Sequence, residues 1–408
     1  MSERTGGAPV AAPRVAVVGA GILGLAISRR LQQVHPGAQV TVLEKEAAVG
    51  QGQTGHNSGV VHAGIYYPDG SLKAQLCRRG SDLLRRYTQE RGLPFDACGK
   101  LVVAADEQEL AGLRELQRRA EANAVPDLKW VPTDGIADIE PFAAGVAALH
   151  SPHTAITDFV AISRSLADDV RSAGGQVRLS TEVTGVAATA NEVRVSTVAG
   201  EELAYDHVVL CGGLQSDRLA RLAGDDRDPA IVPFRGEYLR IVPSRTHLVR
   251  GLIYPVPDPD YPFLGVHFTR RIDGGVDVGP NAVLALARER YRRASVDGRD
   301  LRETLRHRGF WRLARRHWRM GLSEIAGSAS TRLFVRRARR YVPELDVVDV
   351  VRGGAGIRAQ AVDGSGALVD DFRIHHLERV TALRNAPSPA ATSALAIAEH
   401  VVERIPLD

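Results

Sequence analysis

A chain of 408 residues with a formal charge of +4 is too long for one small core, so two domains, or one large domain with an insertion, are expected. Its hydrophobic content of 44% excludes disorder as the default state. No run of about 18 uninterrupted apolar residues occurs, so no transmembrane helix is expected.

The positive charge is nearly all arginine; lysine occurs only at Lys45, Lys73, Lys100 and Lys129. Beside abundant alanine and glycine, that bias points to a GC-rich genome. The acidic residues are spread along the chain, so no nucleic-acid partner is expected. Cys77, Cys98 and Cys211 form no C-x-x-C pair and no metal spacing. A reducing, cytoplasmic compartment and no bound metal are expected. Met1 to Pro13 are small and polar without an apolar stretch, and read as a disordered lead over 1–13.

In chain order, Arg14–Ala20 reads as a buried strand, Gly21–Val34 as a helix and Gln39–Lys45 as the next strand. That is a complete βαβ unit, whose crossover favours a parallel sheet. A Gly-rich loop follows at Gly50–Gly64. Ser71–Arg91 reads as a helix, Gly99–Ala104 as a strand, and Glu107–Asn123 and Ile156–Gly174 as helices. Short strands are expected at Val177–Leu179, Val183–Ala187 and Val193–Val198. Asp206–Gly213 reads as a strand returning to the central sheet. An antiparallel set is expected at Ile231–Val242, Leu252–Tyr254, Phe263–Thr269 and Gly275–Gly279. Arg288–Met320 reads as basic helix, a Gly-rich turn is expected at Gly353–Gly356, and the last helix at Ala390–Val402.

The fold class is therefore α/β: a Rossmann-like nucleotide domain with an antiparallel β-sheet substrate domain. The nucleotide domain is expected over 14–90, 150–228 and 345–408, and the substrate domain over 91–149 and 229–344.

Gly19, Gly21 and Gly24 form G-x-G-x-x-G at the first strand-to-helix junction. The first glycine permits the tight turn, the second lets a pyrophosphate approach the backbone, and the third lets helix and strand pack closely. The phosphates would meet the positive end of the helix. Glu44, at the end of the next strand, is placed to accept from both hydroxyls of an adenosine ribose. That contact disfavours NADP. FAD and NAD share the fingerprint. FAD is favoured because a flavin is held by segments far apart in sequence, and such segments are present. They are the Gly-rich loop with Thr54, Asn57 and Ser58, the strand ending in Gly212 and Gly213, and Gly356 with Ser388 near the C-terminus. Lys45 and Val183 complete the cofactor-binding candidates. Ser388 and Pro389 read as the N-cap and first residue of the last helix.

The strings Gln53–Tyr67 (QTGHNSGVVHAGIYY), Pro233–Tyr238 (PFRGEY), Leu252–Pro259 (LIYPVPDP) and Pro262–Thr269 (PFLGVHFT) resemble the L-2-hydroxyglutarate oxidase/dehydrogenase family. Val278–Ala285, Gly356–Gln360 (GIRAQ) and Asn385–Ser393 extend the resemblance over nearly the whole chain from Arg14. That family lies among the D-amino-acid-oxidase-like two-domain flavoproteins. The resemblance implies FAD and oxidation of L-2-hydroxyglutarate to 2-oxoglutarate, with a hydride passing from Cα to flavin N5. Electrons then pass to oxygen or a quinone, and members using a quinone are peripheral to the inner membrane. The alternative is an FAD oxidase of a related 2-hydroxy acid or an amino acid or amine.

Oxidising an alcohol needs a base near neutral pH, which suits histidine. His56, His62 and His267 are the candidates. Strand alternation puts His267 opposite Val266 and Phe268; if those face a core, His267 faces the flavin side. A dicarboxylate needs cations, for which Arg358, Arg235 and Lys73 are candidates. Arg235 reads equally well as the ion-pair partner of Glu237. Tyr254 and Tyr66 are placed to close the pocket.

Phe310–Leu322 places Trp311, Ala314, Trp318 and Leu322 on one face of a basic helix. The face either packs on the substrate domain or lies on an anionic membrane, on the inner face of the cell membrane.

Overall fold

The structure is a computed structural model that describes residues 12–258 and 263–407. The expected lead therefore lies outside the described residues, apart from Ala12 and Pro13, as do residues 259 and 262 of two of the family-like strings.

The first strand, Arg14–Val18, pairs in parallel with Gln39–Leu43 on one side and His207–Leu210 on the other. Parallel pairing continues to Gln176–Arg178 and Val380–Asn385, and Arg373–Leu377 closes the six-stranded sheet antiparallel to the last of these. Strands buried on both faces read as continuous apolar runs, and RVAVV does so. Val15 and Val17 face the helices Ile22–Val34, Phe159–Ser172 and Ala394–Val402. Ala16 and Val18 face the three-stranded antiparallel layer Val183–Ala188, Val193–Thr197 and Glu202–Tyr205. Leu25 and Leu31 of the first helix are fully buried. Truncating either to Ala costs about 2–5 kcal/mol.

The second sheet has nine strands. Its backbone is the long ladder between Ala230–Ile241 and Val350–Val362. From the first of these it runs through Val276–Gly279, His267–Arg270, Leu252–Pro255, Lys100–Ala104 and Ala147–Ser151 to Lys129–Pro132. One face of this sheet packs a core containing Leu101, Ile253, Val266, Phe268 and Val278. On the other face Val102, Ala104 and Leu149 pack against Leu113 and Leu116 of the helix Leu110–Ala122, while Tyr254, His267 and Arg358 line a cavity.

Four expectations need correction. Gly353–Gly356 is not a turn: it lies inside the strand Val350–Val362, which joins the second sheet although 345–408 was expected in the nucleotide domain. Glycine there admits close backbone approach; a Cβ on Gly356 would lie 2.4 Å from the His56 carbonyl oxygen. Ile156 belongs to a strand, Ala155–Thr157, and the following helix starts at Phe159 behind the Asp158 N-cap. The last helix starts at Ala394 rather than Ala390, and Ser388 is not its cap. Ser388 precedes Pro389, and a residue before proline is disfavoured in the helical region. Finally, Arg288–Met320 is not one helix. Residues up to Asp297 are irregular, and helices Gly298–Arg306, Arg308–Arg316 and Trp318–Ala329 follow, broken at His307 and His317.

Candidate active site

A cavity of about 1420 Å³ runs between the two sheets. Small-ligand pockets occupy about 300–1,000 Å³, so this one has room for a dinucleotide and a substrate together. At one end, the first turn of the helix Ile22–Val34 lines the cavity with Ile22, Leu23 and Gly24. The glycines there are enforced by contact. Gly19 has φ +105°, and a Cβ on it would meet the Cys211 carbonyl oxygen at 2.4 Å. A Cβ on Gly24 would meet the Gly19 carbonyl oxygen at 1.9 Å. Gly21 is the N-cap and has space around it on the cavity side, with Thr54 Oγ1 the nearest atom. Thr54 Oγ1 accepts from the Ile22 N–H at 3.1 Å. The remaining free N–H groups of this turn suit a pyrophosphate.

Glu44 accepts from the Ala20 N–H at 2.6 Å and the Glu46 N–H at 2.9 Å. These two bonds fix its carboxylate at the cavity wall, and a carboxylate keeps further lone pairs for ribose hydroxyls. Lys45 lines the same wall, where its ammonium pairs with Glu289. Asn57, Ser58, Val183, Gly212, Gly213, Gly356 and Ser388 all line the cavity too. Segments far apart in the chain thus meet around one elongated space, as a flavin dinucleotide requires.

The other end carries the chemistry. Val266 and Phe268 face the core, so alternation sends His267 into the cavity. His267 is 6% exposed, and its Nδ1 lies 2.8 Å from the Gly265 carbonyl oxygen. A carbonyl only accepts, so Nδ1 carries the proton and Nε2 keeps its lone pair. Burial pushes the imidazole down to about 3, with Lys100 and Arg358 adding to the effect, so it is neutral. Tyr254 packs on His267 with ring centroids 4.0 Å apart.

Arg358 lines the cavity, over the Phe263 ring at 5.3 Å. Its one hydrogen bond among the described residues goes to the Asn281 carbonyl oxygen at 3.3 Å, and no carboxylate pairs with it. Burial lowers its affinity for a proton. A buried guanidinium without a counter-ion is an anion site. Arg235 differs: it pairs with Glu237 at 2.8 Å and does not line the cavity. The ion-pair alternative holds for that residue. The strand register explains why, since Arg235 and Glu237 share one face two residues apart. Lys73 is 6% exposed, lines the cavity and pairs with Asp370 at 2.9 Å.

The histidines of the Gly-rich loop separate. His56 is exposed and stacks on Tyr291 with centroids 3.5 Å apart, at the outer wall. His62 lines the cavity, and its buried Nδ1 has no partner among the described residues. Tyr66 does not line the cavity; its buried hydroxyl has no partner either.

The profile of the FAD dependent oxidoreductase family matches residues 14–404. The chain belongs to this family. The flavoenzyme is 45% identical to L-2-hydroxyglutarate dehydrogenase of Nematostella vectensis over 96% of its own length and 90% of the relative's. It is 40% identical to the Escherichia coli K12 protein of that name, over 95% of this chain and 92% of that one. Among solved structures, FAD-bound L-alpha-glycerophosphate oxidase of Mycoplasma pneumoniae superposes with a TM-score of 0.78 at 23% identity, covering 96% of this chain and 94% of that one. Glycine oxidase of Geobacillus kaustophilus gives 0.71 at 19% identity, covering 96% and 95%. These likenesses support the D-amino-acid-oxidase-like fold and FAD as the cofactor of this oxidoreductase.

Sequence reasoning missed Tyr238 and Glu289, which line the cavity, and Tyr291, which stacks on the cavity-lining His56. Tyr238 sits in the PFRGEY string, which was the available signal. Glu289 and Tyr291 lie in an irregular stretch that had been read as helix.

Proposed function

We propose that this flavoenzyme oxidises L-2-hydroxyglutarate to 2-oxoglutarate and passes the electrons to oxygen or a quinone. The observation that carries the reading is the Arg358 guanidinium, which has no carboxylate partner among the described residues, in the same cavity as the neutral His267 imidazole. The names of the close relatives support the choice of acid.

When bound, FAD supplies the acceptor for the hydride leaving Cα. The chain's own residues do the rest. Arg358 takes the carboxylate next to the reacting carbon with two parallel N–H groups. His267 Nε2 takes the hydroxyl proton as the C–O bond becomes a carbonyl. The Gly265 carbonyl holds the ring and stabilises the imidazolium that forms. Tyr254 and Phe263 exclude water around the reacting atoms. The test is product analysis under anaerobic conditions: one 2-oxoglutarate per bound flavin supports the reading, and none removes it.

The basic segment adds a membrane-side reading. Trp311 and Trp318 are 55% and 56% exposed, and Leu322 and Ile325 are 58% exposed. The helix Arg308–Arg316 docks instead through Leu313, which packs with Val232 and Val362. The expected packing of the tryptophans on the substrate domain is thereby corrected. Outward tryptophans among Arg312, Arg315, Arg316 and Arg319 suit peripheral contact with anionic lipid at the inner face of the cell membrane, where a quinone is at hand. Flotation with anionic vesicles at low salt tests it; a protein that stays at the bottom of the gradient removes the idea.

A further inference from the structure

A dicarboxylate has a second charged end, and Arg358 accounts for only one. The cavity carries another positive pole, built on different elements. His62 follows the strand Val60–Val61, and Lys73 sits in the first turn of the helix Leu72–Arg91. The His62 backbone is pinned: its N–H donates to Thr392 Oγ1 at 3.1 Å, and its carbonyl accepts from Cys77 Sγ at 3.4 Å. Its side chain is left to line the cavity with a fully buried Nδ1 that has no partner among the described residues. Buried polar atoms are nearly always paired, so an orphan nitrogen on a cavity-lining ring that can turn about its side-chain bonds is available to a ligand atom. Lys73 lines the same cavity, and its Nζ is held by the Asp370 carboxylate at 2.9 Å and the Asp370 carbonyl at 3.0 Å. The Asp370 side chain is 79% exposed, so water can take it over when a better-buried anion arrives.

Arg358, His267, His62 and Lys73 all line this one cavity. Burial and the neighbouring cations keep His62 neutral while no anion is present. Among the described residues the charged and titratable groups acting on it are Lys100, His267 and Lys73.

We propose that His62 and Lys73 form the site for the distal carboxylate of the substrate, and so set the preference for a dicarboxylate over a simple 2-hydroxy acid. This deepens the proposed function and rests on it for the identity of the acid. With one carboxylate on Arg358 and the other on His62 and Lys73, the hydroxyl-bearing carbon is held near His267. The site requires anion binding alone and no redox step of its own.

The test uses the FAD-loaded enzyme and two unreactive probes, glutarate and butyrate, read by perturbation of the flavin absorption spectrum. The wild type is expected to bind glutarate at least about 10-fold more tightly than butyrate, since each such charged contact is worth well over 1.4 kcal/mol. His62→Gln and Lys73→Met should each collapse that ratio toward one. A ratio unchanged in both variants overturns the proposal; where one variant loses FAD, the other decides. With substrate, the same variants should raise KM for L-2-hydroxyglutarate. Failure of L-2-hydroxyglutarate to reduce the wild-type flavin would remove the proposed function. The glutarate-to-butyrate ratio would still report on this site independently.

Discussion

The Nδ1 of His267 donates to the carbonyl of Gly265, two residues earlier in the chain just before the strand begins, at 2.8 Å. This single bond fixes the tautomer and leaves Nε2 as the acceptor in the cavity. His267→Ala should slow flavin reduction by about 10²–10⁴-fold, the usual worth of a positioned base. FAD content should be unchanged, since no backbone of the nucleotide end is touched. Stopped-flow reduction with L-2-hydroxyglutarate measures it, and an unaltered rate would take the base away from His267.

Arg358→Lys keeps the charge but loses the planar fork. KM for L-2-hydroxyglutarate should rise by about 10-fold or more, and Arg358→Ala should raise it further, on the order of 10²-fold. Steady-state kinetics on both variants check this. Unaltered affinity in the alanine variant would leave the substrate carboxylate without its proposed partner.

Much of this site was legible in the sequence because its signals are local. Three glycines between a strand and a helix, and an apolar pair flanking His267, are short-range patterns that survive folding unchanged. What was not legible depends on distant partners. The Gly353–Gly356 run extends as a strand because Ala230–Ile241 lies alongside it. Ser388 looks like a cap until the turn through Pro389 delays the helix to Ala394. Arg358 and Arg235 look alike in sequence. Only the fold shows that Glu237 takes one and that no carboxylate among the described residues pairs with the other.

The basic stretch after residue 285 also has a structural role. Arg288 is 1% exposed, and its Nη2 donates to Asp217 at 3.0 Å and to the Ile231 carbonyl at 3.1 Å. Its backbone N–H donates to Asp300 at 2.7 Å. Removing one partner of such a pair leaves the other charge buried. Arg288→Ala should cost about 3–5 kcal/mol of stability. Urea unfolding of the FAD-loaded enzyme tests this, and a loss below about 1 kcal/mol would show that the pair is dispensable.

His207 and His267 are among the histidines that burial keeps neutral. Burial pushes His207 down to about 4, with His376 and Arg379 adding to it, and His267 down to about 3. In the unfolded chain both titrate near about 6.5, so between these values the unfolded state binds more protons. Their contribution to stability is full above about pH 6.5 and is lost as pH falls, by about 1.4 kcal/mol per unit for each group. Urea midpoints measured from neutral pH down to about pH 5 should fall accordingly. His207→Gln should flatten the slope, and an unchanged slope would show that His207 does not titrate on unfolding.

The most direct test of the whole account is anaerobic single-turnover mixing of the purified yellow enzyme with L-2-hydroxyglutarate, D-2-hydroxyglutarate and L-glutamate in parallel. The flavin absorbance should bleach rapidly with the first acid and persist with the other two. Bleaching by L-glutamate instead, with none from L-2-hydroxyglutarate, would contradict it.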